Sequence, residues 1–351
     1  MDDKNDQNIR CPLSVSLHPQ VLLAHGGGGK LMHRLISEVF AASFANPNLQ
    51  TDRDSAVLPP ATGRLAFTTD SFVVDPLFFP GGDIGSLAVN GTVNDLAMSG
   101  ARPQYLSAGF IVEEGFATGT LWRIARSMKE AADSAGVLIV TGDTKVVERG
   151  HGHSVFINTS GIGALEHDQD IAPAAVSPGD VIIVSGDVGR HGIAVLAERE
   201  GMSFETPIVS DCAPVADAVD FMLKDGVTIH CLRDLTRGGL ATALIEIANS
   251  SGKHLSLREA DIPVSGPVRG ACEILGFDPA YVANEGRFVA IVPPEHADRA
   301  LAAIARGKAS PEPRIIGRVT EEHSGILTMT TLMGTERILE MHTGDQLPRI
   351  C

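Results

Sequence analysis

Five aspartates stand in closely similar settings. Asp54 lies in RDSAVL, Asp70 in TTDSF, Asp95 in VNDLAMSG, Asp143 in TGDTK and Asp234 in RDLTRGG. Each falls where a periodic segment meets a turn rich in Gly, Ser or Thr. A hard divalent cation takes several oxygen ligands, and carboxylates from separate elements can converge on one. A single Asp in such a place ordinarily caps a helix or a turn; that account weakens when five share the setting. Glu285 in NEGR (284–287) reads either as a general base or as a solvated loop charge. Lys145, at the end of VLIVTGDTK, could neutralise phosphate or stabilise developing negative charge, and reads equally as a surface lysine.

HGGGGK (25–30) adds four successive glycines, Gly26, Gly27, Gly28 and Gly29, followed by Lys30. Such a loop lets backbone approach a ligand closely. It is not a Walker A loop: Ala24 occupies the first glycine position and Leu31 the Ser/Thr position. His151 and His153 in RGHGHS lack Cys or Glu at metal-binding spacing, as does His191 in GRHG, so all three read as turn residues or weak phosphate contacts. The sequence closes on GDQLPRIC, with Cys351 last. Gly344 and Pro348 interrupt regular structure there, which predicts an extended, hinged arm carrying an accessible thiol.

These groups must be positioned by a chain of 351 residues, a length that predicts two domains. A net charge of −15 with no sustained basic run excludes nucleic acid as a partner. No apolar stretch approaches the ~18 residues needed to span a bilayer. The polar start predicts a mobile tail over residues 1–20 and no targeting segment. Five cysteines without a C-x-x-C pair argue against a disulfide framework or zinc site, and point to the cytoplasm. Periodicity predicts strands over 65–74, 103–114, 137–148 and 154–165, with helices over 85–101 and 120–136. After a linker at 172–180 the pattern restarts. Strands are expected at 181–186, 228–234, 254–260, 287–293, 314–321 and 325–331, and helices at 192–201, 213–223, 239–252, 268–276 and 295–307. The result is an α/β or α+β chain in two halves, an N-terminal domain over 21–172 and a C-terminal domain over 180–338, with an arm from 339 to 351.

The set HGGGGK, DSAV, TTDSF, VNDLAMSGA, TGDTKVV, DLTRGG, NEGR and PRIC resembles the HypE family of hydrogenase maturation factors, carbamoyl dehydratases, from about residue 20 to 351. Single motifs also resemble the wider superfamily of aminoimidazole ribonucleotide synthetase and selenophosphate synthetase; PRIC decides for HypE. The resemblance implies a PurM-like fold whose N-terminal half builds a β-barrel shared across a homodimer, beside a C-terminal α/β domain. It implies ATP with Mg²⁺ on its phosphates. Gly26 to Gly29 and Lys30 would close over the nucleotide, and Asp54, Asp95 and Asp234 would hold Mg²⁺. Asp70 would lie near the phosphates, with Asn90, Gly142, Asp143 and Thr144 also on ATP, the last three from this chain or its partner.

The reaction implied places a carbamoyl group, delivered by HypF, on the thiol of Cys351. ATP activates the carboxamide oxygen, phosphate leaves, and a thiocyanate remains for transfer to iron held by HypC–HypD. Oxygen is a poor leaving group until phosphorylated, and Mg²⁺ spreads the charge of the transfer. A proton must also leave nitrogen; Glu285 is the expected base and Lys145 the group that polarises oxygen or holds phosphate. The alternatives are another ATP enzyme of the superfamily, selenophosphate synthetase or thiamine-phosphate kinase, or a non-catalytic nucleotide-binding scaffold. The first would be expected to carry a Cys in the glycine loop, and none is there.

Overall fold

The computed structural model describes residues 18–49, 53–60, 63–310, 312–321 and 325–341. The expected tail up to residue 17, and the arm from 342 to Cys351, lie outside them. A four-stranded sheet is built from β1 (Arg64–Phe72), β2 (Arg102–Glu113), β3 (Leu138–Val147) and β4 (Val155–Leu165) in the order β1-β4-β2-β3. Only β2 and β3 run parallel. Two helices, α2 (Ile84–Met98) and α3 (Thr118–Ala135), follow a short α1 (Lys30–Leu35) that continues as a π-helical turn, Ile36–Ala41. The sequence patterns over 85–101 and 120–136 thus give helices, while α1 escaped notice because glycines precede it and its apolar face spans barely a turn.

Asp83 caps α2, accepting from the amides of Gly85 (2.7 Å) and Ser86 (3.0 Å), with Ser86 Oγ returning to the Asp83 amide. Leu87, Val89 and Val93 of α2 and Leu121, Ile124 and Met128 of α3 form a core with Phe72, Phe110 and Ile157 of the sheet. The helix α2 is buried nearly all round, because its other side meets the second half of the chain. The opposite face of the sheet is open. There Leu65 is 59% exposed, Phe67 70% and Ile111 44%.

The second half is a seven-stranded sheet: β5 (Val181–Val184), β6 (Cys231–Asp234), β7 (His254–Arg258), β8 (Phe288–Val292), β9 (Arg314–Thr320), β10 (Leu327–Thr330) and β11 (Glu336–Leu339). Their order is β11-β10-β7-β9-β5-β8-β6, and only the β10–β7 pair is parallel. Helices α4 (Arg190–Glu200), α5 (Ala216–Lys224), α6 (Gly239–Ser251), α7 (Gly266–Leu275) and α8 (Ala297–Ile304) cover it. The fully buried β8 reads as a continuous apolar run, FVAIV, as a central strand must. The pattern predicted two final strands; β11 is a third, short and mostly exposed, with too little alternation to be seen. Among the described residues no helix is long and apolar enough to cross a membrane, and Cys212, Cys231 and Cys272 are free thiols.

Candidate functional site

The end of β1, the middle of α2, the end of β6 and the NEGR turn before β8 meet at one cleft of about 370 Å³, within the range of small-molecule sites. Asp70, Asp95, Asp234 and Glu285 line it, with Arg233 and Arg237 at its rim. Thr68 Oγ1 donates to Asp95 Oδ2 at 3.0 Å, and Arg237 stands 3.6 Å from Asp70. Burial, then the neighbouring Asp234, push the Asp95 carboxyl up to about 6; Asp70 adds to the effect. Asp234 is raised as well, by burial above all.

Glu285 is 3% exposed. This excludes the solvated-loop reading of NEGR. Its carboxyl is held well above the ordinary range, first by burial and then by Asp234, Asp211, Asp70 and Asp95. The turn itself is rigid. Asn284 Oδ1 accepts from the Gly189 amide at 2.7 Å, and Asn94 Nδ2 donates to the Glu285 carbonyl at 3.2 Å. A Cβ at Gly286 would sit 1.9 Å from the Asp211 carbonyl oxygen, so no side chain fits there. Arg287 is tied by its guanidinium to Asp187 at 2.8 Å.

Sequence reasoning missed Asp211. Its carboxylate accepts from the Gly286 and His191 amides, both at 3.1 Å, and thereby fixes the turn that presents Glu285. Nothing in VSDCAP marks it, since its partners lie 20 and 75 residues away. His191 is no turn residue: it is fully buried, with its ring 2.9 Å from Ser210 Oγ. His151 and His153 do lie exposed in the turn between β3 and β4. Asn90, 4% exposed on α2, points Nδ2 at Cys212 Sγ (3.5 Å), and its Oδ1 is a buried acceptor without a donor.

The remaining predicted residues gather elsewhere, around the edge strand β3. Asp54 borders a second cleft, of about 410 Å³, with Gly142, Asp143 and Thr144, so it is not brought to Asp95 and Asp234 within one chain. Lys145 is 61% exposed, pairs with Asp143 at 3.0 Å and does not line the cleft of Glu285. Gly26 packs on the same strand, where a Cβ would lie 2.8 Å from the Val146 nitrogen. Gly28 adopts φ +77°, and Gly27, Gly29 and Lys30 are exposed. Asp143 and Lys145 face the open side of the sheet, in one cross-strand row with Gly109, Asn158 and Ser71, and in the next with Ile111.

Among the described residues no three His, Cys, Asp or Glu side chains could enclose an ion unaided. Asp70, Asp95 and Asp234 nonetheless form a set of hard donors whose mutual repulsion a divalent cation would relieve, with ligand oxygens completing its shell. The raised Asp95 has a stability consequence. Between about pH 4 and 6 the folded chain binds more protons than the unfolded one, so stability falls as pH rises through that window. Asp95→Asn keeps the Thr68 bond and is expected to flatten this slope. It should raise Tm at pH 7.5 by about 3 °C or more in metal-free buffer, on the ~2–4 °C per kcal/mol scale of large domains. Scanning calorimetry at pH 4.5 and 7.5 checks it; a Tm lowered at pH 7.5 would refute the charge crowding.

The chain matches the N-terminal domain model of AIR synthase related proteins over residues 52–165 and the corresponding C-terminal domain model over 177–330. It is 49% identical to the carbamoyl dehydratase HypE of Azotobacter vinelandii over 331 residues, 94% of this chain and 97% of that protein. The crystal structure of the hydrogenase maturation protein HypE in complex with ATP superposes with TM-score 0.91 at 48% identity, covering 94% of this chain and 99% of that one. HypE from a crystal structure of the HypE–HypF complex gives 0.77 at 46%, covering 88% and 99%. Thiamine-monophosphate kinase from Stenotrophomonas maltophilia shares the fold alone, at 19% identity and TM-score 0.64. The chain belongs to the carbamoyl dehydratase HypE family of hydrogenase maturation factors, within the AIR synthase related proteins.

Proposed function

We propose that this chain dehydrates a carbamoyl group carried on Cys351 to a thiocyanate, at the expense of ATP, and so makes the cyanide ligand of a hydrogenase iron. The observation that carries this is the buried Glu285 in the carboxylate cleft, four residues beyond a tyrosine that is hydrogen-bonded to the root of the arm. Tyr281 donates its hydroxyl to the Glu340 carbonyl at 2.8 Å. It precedes Glu285 by four residues, at most ~14 Å of chain, while the ten residues beyond Met341 reach ~33 Å. The thiol of Cys351 can therefore be brought to Glu285.

In this reading Asp70, Asp95 and Asp234, with oxygens of the nucleotide, would hold Mg²⁺, which would supply charge neutralisation on the ATP phosphates. The carboxamide oxygen attacks the γ-phosphorus, the bond to the bridging oxygen breaks, and ADP leaves. Glu285 takes a proton from nitrogen. Loss of the second N–H proton with cleavage of C–O releases phosphate and leaves S–C≡N. The sum is carbamoylated thiol plus ATP to thiocyanate, ADP and phosphate. A cation beside Glu285 would offset the part of its upward shift that the neighbouring carboxylates cause, while burial, the larger cause, would remain.

Gly26–Gly29, Lys30, Asp54, Gly142, Asp143, Thr144 and Lys145 serve the nucleotide of the partner subunit. The support is that they surround β3 and that Asp143 and Lys145 face the open side of the sheet, where Phe67, Leu65 and Ile111 lack cover. Two such faces closing a shared barrel would bury side chains worth about 1.5–3 kcal/mol each. Asn90 completes the nucleotide site. HypF supplies the carbamoyl group and HypC–HypD accepts the cyano group. Phe67→Arg is expected to convert the dimer to monomer in light scattering and to cut turnover at least ~100-fold, the scale of a lost catalytic contact. A monomeric wild type would refute the arrangement. For the reaction itself, phosphate release should be strictly dependent on prior carbamoylation, one phosphate per carbamoylated chain. ATP hydrolysis indifferent to carbamoylation would sink the reading.

A further inference from the structure

The chain has only 28 Lys and Arg against 43 Asp and Glu. Yet four arginines, Arg190, Arg269, Arg287 and Arg314, line a single cavity of about 490 Å³ in the second half, with Asp187 and Glu312 as its only carboxylates among the described lining residues. Four guanidinium groups against two carboxylates leave two positive charges in one concave site.

The arginines are held in different ways. Arg287 is 4% exposed and fixed by hydrogen bonds to the carbonyls of Asp187, Gly286 and Ala309 and to Asp187 Oδ1, so its charge is a permanent part of the wall. Arg190 Nε lies 3.1 Å from Asp187 Oδ2, so Asp187 is shared between Arg190 and Arg287, and that nitrogen is buried without a well-aligned hydrogen bond. Arg269 and Arg314 are exposed at the rim, and neither makes an ion pair among the described residues. At the same wall Ser265 begins α7 without using its side chain as a cap, and that first turn carries no acidic residue.

We propose that this cavity binds a dianionic oxyanion, either inorganic phosphate or the phosphoryl group of a small phosphomonoester. Planar guanidinium forks match phosphate oxygens, and the net charge matches a dianion rather than a triphosphate. The volume leaves room for an organic moiety beyond the phosphoryl group. The inference does not depend on what the carboxylate cleft binds. The two sites are physically linked, however: Glu285 faces that cleft and Arg287, two residues on, faces this one.

The test is calorimetric titration of the full chain at low salt, with inorganic phosphate in one arm and glycerol phosphate in the other. The carboxylate cleft is first saturated with Mg²⁺ and a non-hydrolysable ATP analogue. At least one ligand should fill a single site. Arg269→Ala and Arg314→Ala should each weaken it about tenfold, and together about 100-fold. Both side chains are exposed, so an unchanged Tm verifies folding. Arg306→Ala, in the turn after α8 and outside the cavity, should leave affinity unaltered. Tighter binding of glycerol phosphate identifies a phosphomonoester; equal or weaker binding identifies phosphate itself. Absence of both titrations up to about 10 mM would overturn the proposal. So would a double variant that binds like wild type, or an equal loss in Arg306→Ala.

Discussion

Glu285→Gln is expected to slow conversion of the carbamoylated chain to the cyanated one by about 10²–10⁴-fold, the usual worth of a positioned general base. Gln has the same shape and stays neutral. Because burial and then the surrounding carboxylates favour the neutral form of Glu285, the exchange should leave folding and ATP affinity almost intact. Its effect should fall on the chemical step and not on binding. Wild-type single turnover should rise with pH as Glu285 ionises, because a base acts in its deprotonated form, and the Gln variant should lose this limb. Rapid-quench measurement as a function of pH, from the ordinary carboxylate range upward, checks both. A variant that turns over at the wild-type rate would remove Glu285 from the chemistry.

Cys351→Ala should abolish turnover altogether, since the carbamoyl group then has no attachment point. Nucleotide affinity and Tm should not move, since the exchange removes a single sulfur atom. Tyr281→Phe supplies a graded comparison. It frees the Glu340 carbonyl at the root of the arm, leaving the thiol attached but less well aimed. A loss of no more than about tenfold is expected, the cost of roughly one hydrogen bond. If Cys351→Ala retained dehydration of a carbamoyl donor, another nucleophile would have to carry the group.

The sequence made the regular elements legible where period and length were both clear. The helix α3 and the strands of the first sheet are examples, as is the apolar β8. Short or two-sided segments such as α1 and β11 carried too little pattern. For the site, the motifs singled out candidate residues but not how they group. Asp70, Asp95, Asp234 and Glu285 come together because β1, α2, β6 and the NEGR turn end at one place, and no local spacing encodes that. Asp143 and Lys145 sit on the far strand, facing the uncovered side of the sheet, and Asp54 borders a cleft beside that strand. Asp211 was invisible because its role is to hold backbone amides distant in sequence. Burial made Glu285 a strongly perturbed acid, and burial is the property a loop motif conveys least.

The most direct test of the central claim is intact mass of the peptide ending in Cys351, followed in time after carbamoylation. The carbamoyl adduct, about 43 Da above the free thiol, should convert on addition of ATP and Mg²⁺ to a species about 25 Da above it, without passing through free thiol. Persistence of the heavier adduct in the presence of ATP, or its return to free thiol alone, would contradict the account.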